Sequence, residues 1–258
     1  MIELIGVEFA WPDEPPLFGR LSLRVEAGER VVLLGANGCG KSTLLKLINA
    51  LIEPTAGELR WQGERLDRAR LREAGRGRAF RRACGLLFQH PETMLFNPTV
   101  RDELAFAPSR LGLADVEARV ARWAAELGLE AVLDRPPFML SGGQKQKVAL
   151  ASLMTVEPEL LLLDEPSASL DPASVGWLIE HLSRSEHTLI TATHNLSLAA
   201  ELGERGIVLD RRGELLFDGP VAAALADLEQ LERAGLAHRH RHRHGGVEHS
   251  HLHAHDWA

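Results

Sequence analysis

The octapeptide Gly35-Ala36-Asn37-Gly38-Cys39-Gly40-Lys41-Ser42 gathers the residue types that hold a phosphate: three glycines, a lysine and a hydroxyl. Without Cβ atoms, Gly35, Gly38 and Gly40 let backbone N–H groups converge on an anion. The preceding run Arg30 to Leu34 reads as a strand and the following Lys41 to Leu51 as a helix, so the anion would also meet the positive end of a helix. The spacing is that of G-x-x-x-x-G-K-[ST], in which Lys41 reaches the outer phosphates and Ser42 ligates Mg²⁺. Asn37, Cys39 and Thr43 belong to the same expected contact set.

Two further segments supply what a phosphate cradle lacks. Leu160 to Glu165, LLLLDE, is an unbroken apolar run that ends in two carboxylates. A strand there would deliver Asp164 to the metal's coordination shell and Glu165 to the water that attacks the outer phosphate, as general base. The run Leu140 to Gln144, LSGGQ, opens a helical pattern with Ser141, Gly142 and Gly143 at its start, and so reads as a second anion site. The two cradles lie about 100 residues apart. Each copy of the chain is therefore expected to offer Ser141, Gly142, Gly143 and Gln144 to the nucleotide held by its partner.

In this order, P-loop, LSGGQ and LLLLDE resemble the ATP-binding cassette family. The resemblance implies an α/β fold of P-loop NTPase type: a RecA-like core with an antiparallel β subdomain and an inserted α-helical signature lobe. It implies ATP and Mg²⁺ as ligands and ATP hydrolysis as the activity. It also assigns roles one residue at a time. Gln89 in GLLFQH matches the glutamine that senses Mg²⁺ and the γ-phosphate; Asp171 ends a D-loop-like SASLD; His194 in TATHN matches the switch histidine; Trp11 stands where an adenine-stacking tyrosine is usual. Cys39 replaces a common serine, and its closeness to Lys41 and a helix start predicts a lowered thiol pKa and modification by maleimides. Gln89 to Phe106 resembles energy-coupling-factor ATPases. That resemblance implies a transmembrane coupling (T) component and a substrate-binding membrane component as partners at the cytoplasmic face of the membrane, with Glu103 receiving an arginine from a coupling helix.

His238, His240, His242, His244, His249, His251, His253 and His255 crowd the last segment, which cannot build a core of its own. Neutral imidazoles at His-x-His spacing suit Ni²⁺, Co²⁺, Zn²⁺ and Cu²⁺. With the subfamily resemblance this favours nickel or cobalt as cargo. Open alternatives are a vitamin or zinc transporter, a cassette ATPase uncoupled from transport, and a histidine-rich metal-handling protein.

The elements that must position these residues follow from pattern. Strands are expected at Ile2 to Phe9, Leu21 to Val25, Leu160 to Leu163 and Thr188 to Thr193, and helices at Asp115 to Leu127 and Gln144 to Thr155. The expected division is an ATP-binding core of residues 1–90 and 159–236, a helical lobe of 91–158 and a tail of 237–258. The seven arginines between Arg68 and Arg82 read as a solvated segment. A net charge of -7 over 258 residues asks for no nucleic-acid partner. Two cysteines, Cys39 and Cys84, make neither a disulfide framework nor a metal pair. No run approaches the roughly 18 to 20 apolar residues that span a bilayer. The opening residues carry Glu3 and Glu8 where a signal peptide would be basic and then apolar.

Overall fold

A computed structural model describes residues 1–168, 170–184, 186–244 and 247–254, and of residues 74, 238–244 and 247–254 the backbone alone. The chain forms two compact units, Met1–Leu66 with Leu189–Ala258, and Asp67–Thr188. These bounds differ from the expected division because β-rich segments on either side of the helical lobe pack with it: the second unit holds all of 91–158 and the strands that flank it.

In chain order the first unit begins with β1 (Ile2–Phe9), β2 (Phe18–Val25), β3 (Arg30–Leu34), α1 (Lys41–Ile48), β4 (Ala56–Trp61) and β5 (Glu64–Arg65). The second comprises α2 (Arg68–Arg72), α3 (Ala74–Ala83), β6 (Cys84–Leu87), α4 (Val100–Leu111), α5 (Val116–Leu127), α6 (Gly142–Met154), β7 (Leu160–Asp164) and α7 (Pro172–Arg184). The first then resumes with β8 (Thr188–Thr193), α8 (Leu196–Leu202), β9 (Arg205–Leu209), β10 (Leu215–Pro220), α9 (Val221–Ala226), α10 (Leu228–Arg233), β11 (Ala237–His244) and β12 (Val247–Ala254).

The first unit carries an antiparallel sheet, β2-β1-β4-β5, and a run of strands β10-β9-β3-β8 in which β3 lies parallel to both β8 and β9. Alternating burial along β2, with Phe18, Leu21, Leu23 and Val25 inside, marks a strand with one face on the core. By contrast β8 is buried at every residue and β3 at four of five, as parallel strands covered on both faces are. The sequence also sets where α1 stops: Ala50 takes φ +52, which ends the helix short of the expected Leu51.

In the second unit β6 and β7 pair in parallel, and β7 is buried throughout. Helix α5 buries Val120, Trp123, Ala124 and Leu127, the i, i+3, i+4, i+7 stripe of an amphipathic helix, and stops at Gly128 in the left-handed region. The arginine-rich segment is helical as well, forming α2 and α3. Phe80 and Ala83 anchor α3 in the core, while most of its arginines stay exposed. No described helix is long and apolar enough to cross a membrane.

Candidate active site

On the first unit, Leu34 at the end of β3 is the register partner of Thr193 at the end of β8. The glycine-rich loop and His194 therefore leave the same carboxyl edge from neighbouring parallel strands, which lie about 4.8 Å apart. In open α/β sheets such an edge is where ligands bind. Within the loop, Asn37 and Gly38 are exposed, Ser42 is half-buried, and Lys41 and Thr43 are buried. Gly38 and Gly40 take φ +83 and +103, so the chain turns through conformations that other residues rarely adopt. A Cβ on Gly40 would also run 2.8 Å from the Phe18 ring. The Lys41 ammonium donates to the carbonyls of Gly35 (2.7 Å) and Ala36 (3.3 Å), which folds the lysine back over the loop. The loop's start is pinned by the Ala36 N–H, which donates to Ala234 O just beyond α10.

Cys39 corrects the expectation of a reactive thiol. It is 1% exposed, and burial pushes its pKa up against the opposing pull of Lys41. Its sulfur packs where a side chain at position 35 would project, 2.5 Å from a Cβ placed there, so Cys39 shapes the loop from beneath. His194 sits in a turn held on both sides. Thr193 Oγ1 accepts from Asn195 N (3.1 Å), and Asn195 Oδ1 caps α8 by accepting from Ser197 N (2.9 Å) and Leu198 N (3.3 Å). Trp11 is 38% exposed and its ring meets Phe9 edge-on at 5.1 Å.

On the second unit the register repeats the arrangement: Leu87 at the end of β6 partners Leu163 in β7. Exposed Gln89 and the pair Asp164 and Glu165 thus leave a common carboxyl edge. Both carboxylates are 4% exposed. Glu165 has φ +47, a left-handed conformation that costs a side-chain-bearing residue about 1 to 3 kcal/mol and clusters at functional sites. Nothing in the sequence announced that strain.

The LSGGQ segment is a helix start of stated geometry. Ser141 Oγ accepts from Gln144 N (3.3 Å) and Gln144 Oε1 accepts from Ser141 N (3.1 Å), a capping box at the N-terminus of α6. With Ser141 and Gln144 occupied by each other, Gly142 and Gly143 supply N–H groups that have no place in the helical ladder. Gln146 was not foreseen. It is 2% exposed and its Nε2 donates to Pro166 O (3.1 Å), which ties α6 to the residue after Glu165. Asp171 accepts from Ser174 N (3.0 Å) and Ser174 Oγ (2.6 Å), and these bonds hold its carboxyl below the usual range at the start of α7.

Glu103 is a second correction. It does not present its carboxylate to solvent, as reception of a partner's arginine would require. It is 4% exposed, and one oxygen accepts from both Phe96 N (2.9 Å) and Asn97 N (2.8 Å), fastening the segment before α4. That fastening leaves Phe96 67% and Phe106 36% exposed, edge to face at 4.9 Å. Phe138 and Met139, just before LSGGQ, are exposed too. Of the histidine tail, His238, His240, His242, His244, His249, His251 and His253 fall in β11 and β12, whereas His255 lies outside the described residues.

A glycine cradle before a helix, a hydroxyl and carboxylates at strand ends, and a capped diglycine helix start define a nucleoside-triphosphate hydrolase of cassette type. The chain belongs to the ABC transporter family, whose sequence profile matches residues 18–168. It is 44% identical over 242 residues to the nickel import ATP-binding protein NikO of Rhodobacter capsulatus, covering 91% of this chain and 94% of that one. It is 38% identical over 241 residues to the energy-coupling factor transporter ATP-binding protein EcfA of Methanothermobacter thermautotrophicus, covering 92% and 76%. Among solved structures it resembles cbiO1 from Clostridium perfringens, part of the ABC transporter complex cbiONQ, with a TM-score of 0.74 at 26% identity over 90% of this chain and 94% of that one. It also resembles the cassette MJ0796 in a dimeric post-hydrolysis state bound to ADP and phosphate, with a TM-score of 0.77 at 25% identity over 86% and 99%. The expected fold class and ATPase activity stand on these likenesses.

Proposed function

We propose that this chain is the ATP-hydrolysing subunit of an energy-coupling-factor-type importer, seated at the cytoplasmic face of the membrane, and that its cargo is nickel or cobalt. The observation that carries the reading is the 44% identity over nearly the whole chain to a nickel import ATPase, and the strand register within each unit, which brings Leu34 beside Thr193 and Leu87 beside Leu163, supports it. The cbiO1 likeness supports the same transporter type.

In this reading, loop N–H groups of Gly35 to Gly40 and the Lys41 ammonium bind the phosphates of ATP, and the Trp11 face carries adenine, with a stacking contribution of roughly 1 to 3 kcal/mol. The turn geometry of Gly38 and Gly40, the buried Lys41 and Thr43 and the half-buried Ser42 hydroxyl fit such a ligand. Ser42, Gln89 and Asp164 hold Mg²⁺, whose chemistry is to neutralise charge on the phosphate oxygens. Glu165 takes the proton of the attacking water. His194 and Lys41 donate to the γ-phosphate as charge develops there. Ser141, Gly142, Gly143 and Gln144 of a second copy seal the nucleotide, and Asp171 orders the D-loop from the start of α7. The second copy is this chain again or a related ATPase. The exposed apolar side chains Phe96, Phe106, Phe138 and Met139 suit a docking surface for coupling helices of the T component, with the substrate-binding membrane component beside it.

The test is uptake of radiolabelled nickel, cobalt, zinc and a vitamin panel by cells that express the whole complex. Nickel or cobalt accumulation that disappears with Glu165→Gln supports the proposal. Uptake of another cargo alone, or no dependence on the chain, overturns it. Purified Glu165→Gln protein should dimerise with MgATP and turn over about 10² to 10⁴ times more slowly than the parent.

A further inference from the structure

The C-terminal segment is more than a histidine-rich composition, because β11 and β12 pair antiparallel with a defined register. His238 is opposite His253, His240 opposite His251, and His242 opposite His249. Three successive rungs on one face of the ribbon are thus histidine against histidine. The intervening rungs are Arg239 with Leu252, Arg241 with Ser250 and Arg243 with Glu248, so the other face has none. Side chains alternate between faces along a strand, and directly opposed residues have Cβ atoms about 4.5 to 5.5 Å apart, with the next rung of the same face about 7 Å along. Among the residues whose side chains are described, no group of three or more histidines, cysteines or carboxylates could hold a metal ion.

We infer that the histidine face of the β11–β12 ribbon is a transition-metal site whose unit is the cross-strand histidine pair, with neighbouring rungs able to complete a four-imidazole set. Nitrogen ligands of this kind select Ni²⁺, Co²⁺, Cu²⁺ or Zn²⁺ over Mg²⁺, so the site is chemically separate from the magnesium of the ATPase. The inference rests on the importer reading only for the choice of ion. Each ion takes neutral imidazoles, so binding weakens as pH falls below about 6.5.

A composition-preserving exchange separates a register-built site from a loose tail that merely contains histidines. Arg241→His with His240→Arg keeps the number of histidines and the charge but breaks the central rung. Ser250→His with His251→Ser breaks it from the other strand. Together the two exchanges set histidines opposite each other again, at positions 241 and 250. Nickel chloride and cobalt chloride are titrated calorimetrically into the full chain without nucleotide, and ATPase rates serve as the folding control. Each single exchange leaves only the outer pairs, whose rungs are about 14 Å apart and too far to share an ion, so nickel binding should weaken about tenfold. The combined exchange adds a cross-strand pair on the other face, so it should bind more nickel ions per chain than either single exchange without regaining the parent affinity. Equal affinity in all four chains, or no more nickel bound by the combined exchange than by the single ones, overturns the site. Uptake by the whole complex is a separate readout: a chain that binds nickel in register but supports no uptake sinks the importer reading and leaves the site standing.

Discussion

At Glu165, backbone strain and chemistry can be separated by substitution. Its φ of +47 lies directly after a strand buried along its whole length, and the residue is 4% exposed. A residue with a Cβ in the left-handed region carries about 1 to 2 kcal/mol that glycine does not. Glycine in turn loses about 0.5 to 1 kcal/mol more backbone entropy on folding than alanine. The difference predicts that Glu165→Gly is more stable than Glu165→Ala by about 0.5 to 1 kcal/mol, the reverse of their order in an ordinary strand or helix. For a chain of this size that is about 1 to 4 °C in Tm. Both variants lack the carboxylate, so both should lose about 10² to 10⁴ in turnover. Glu165→Gln loses the base and keeps the strain, so its stability should track alanine's. Urea unfolding followed by tryptophan fluorescence, compared at unchanged m value, measures the first quantity, and phosphate release the second. An alanine variant as stable as the glycine variant would refute the strain argument, and retained turnover in either would refute the base.

Three other outcomes follow from the geometry. Cys39, buried with a raised pKa, should resist maleimide at neutral pH in the folded chain equally with and without ATP and react only on unfolding; rapid native labelling by mass spectrometry would contradict this. Glu103→Ala strands two backbone donors and should cost about 2 kcal/mol in denaturant unfolding, with Glu103→Gln costing less; an alanine variant within about 0.5 kcal/mol of the parent would show that the fastening is dispensable. Ser174→Ala should let the Asp171 carboxyl rise toward its ordinary range in a ¹³C NMR titration. Because that pKa is lowered in the folded chain, the pair's stabilisation is complete above the unfolded carboxylate pKa and is lost as pH falls through the folded one, so the variant should show a weaker acid dependence in this window.

What could be read from the sequence was whatever depends on neighbours along the chain. The phosphate loop was legible because spacing, glycine content and a strand-to-helix context all lie within twenty residues. Strands β3 and β7 are legible as short apolar runs and β8 as a run rich in β-branched residues. Asp164 is legible as a carboxylate at the end of a buried apolar run, whereas His194 is an ordinary residue type after a strand and has a role only through the family resemblance. The misread residues are those whose meaning depends on a distant surface. Cys39 sits beside a lysine in sequence, which argues for a low pKa, yet desolvation outweighs the lysine once the loop closes over the sulfur. Glu103 falls in the first turn of α4, where an acid suits the helix dipole and so looks solvated. Its bond to residues six and seven places earlier requires the loop to fold back first. In the tail, His-x-His runs on either side of Gly245-Gly246 are a hairpin signal that the histidine-rich composition masks.

The most informative misses concern α6, because they change how the LSGGQ motif is understood. Read from sequence, the motif is an anion grip at a helix start. In the structure its first turn is closed by a reciprocal cap, and less than one further turn along, Gln146 holds the carbonyl of Pro166, next to the strained Glu165. In the proposed dimer one short helix would therefore both offer N–H groups to a partner's nucleotide and, through the Gln146 bond, brace the segment that carries Glu165. A left-handed glutamate persists only where its surroundings over-determine it. The Gln146 bond is one such constraint, and it begins on the element that a second subunit would engage.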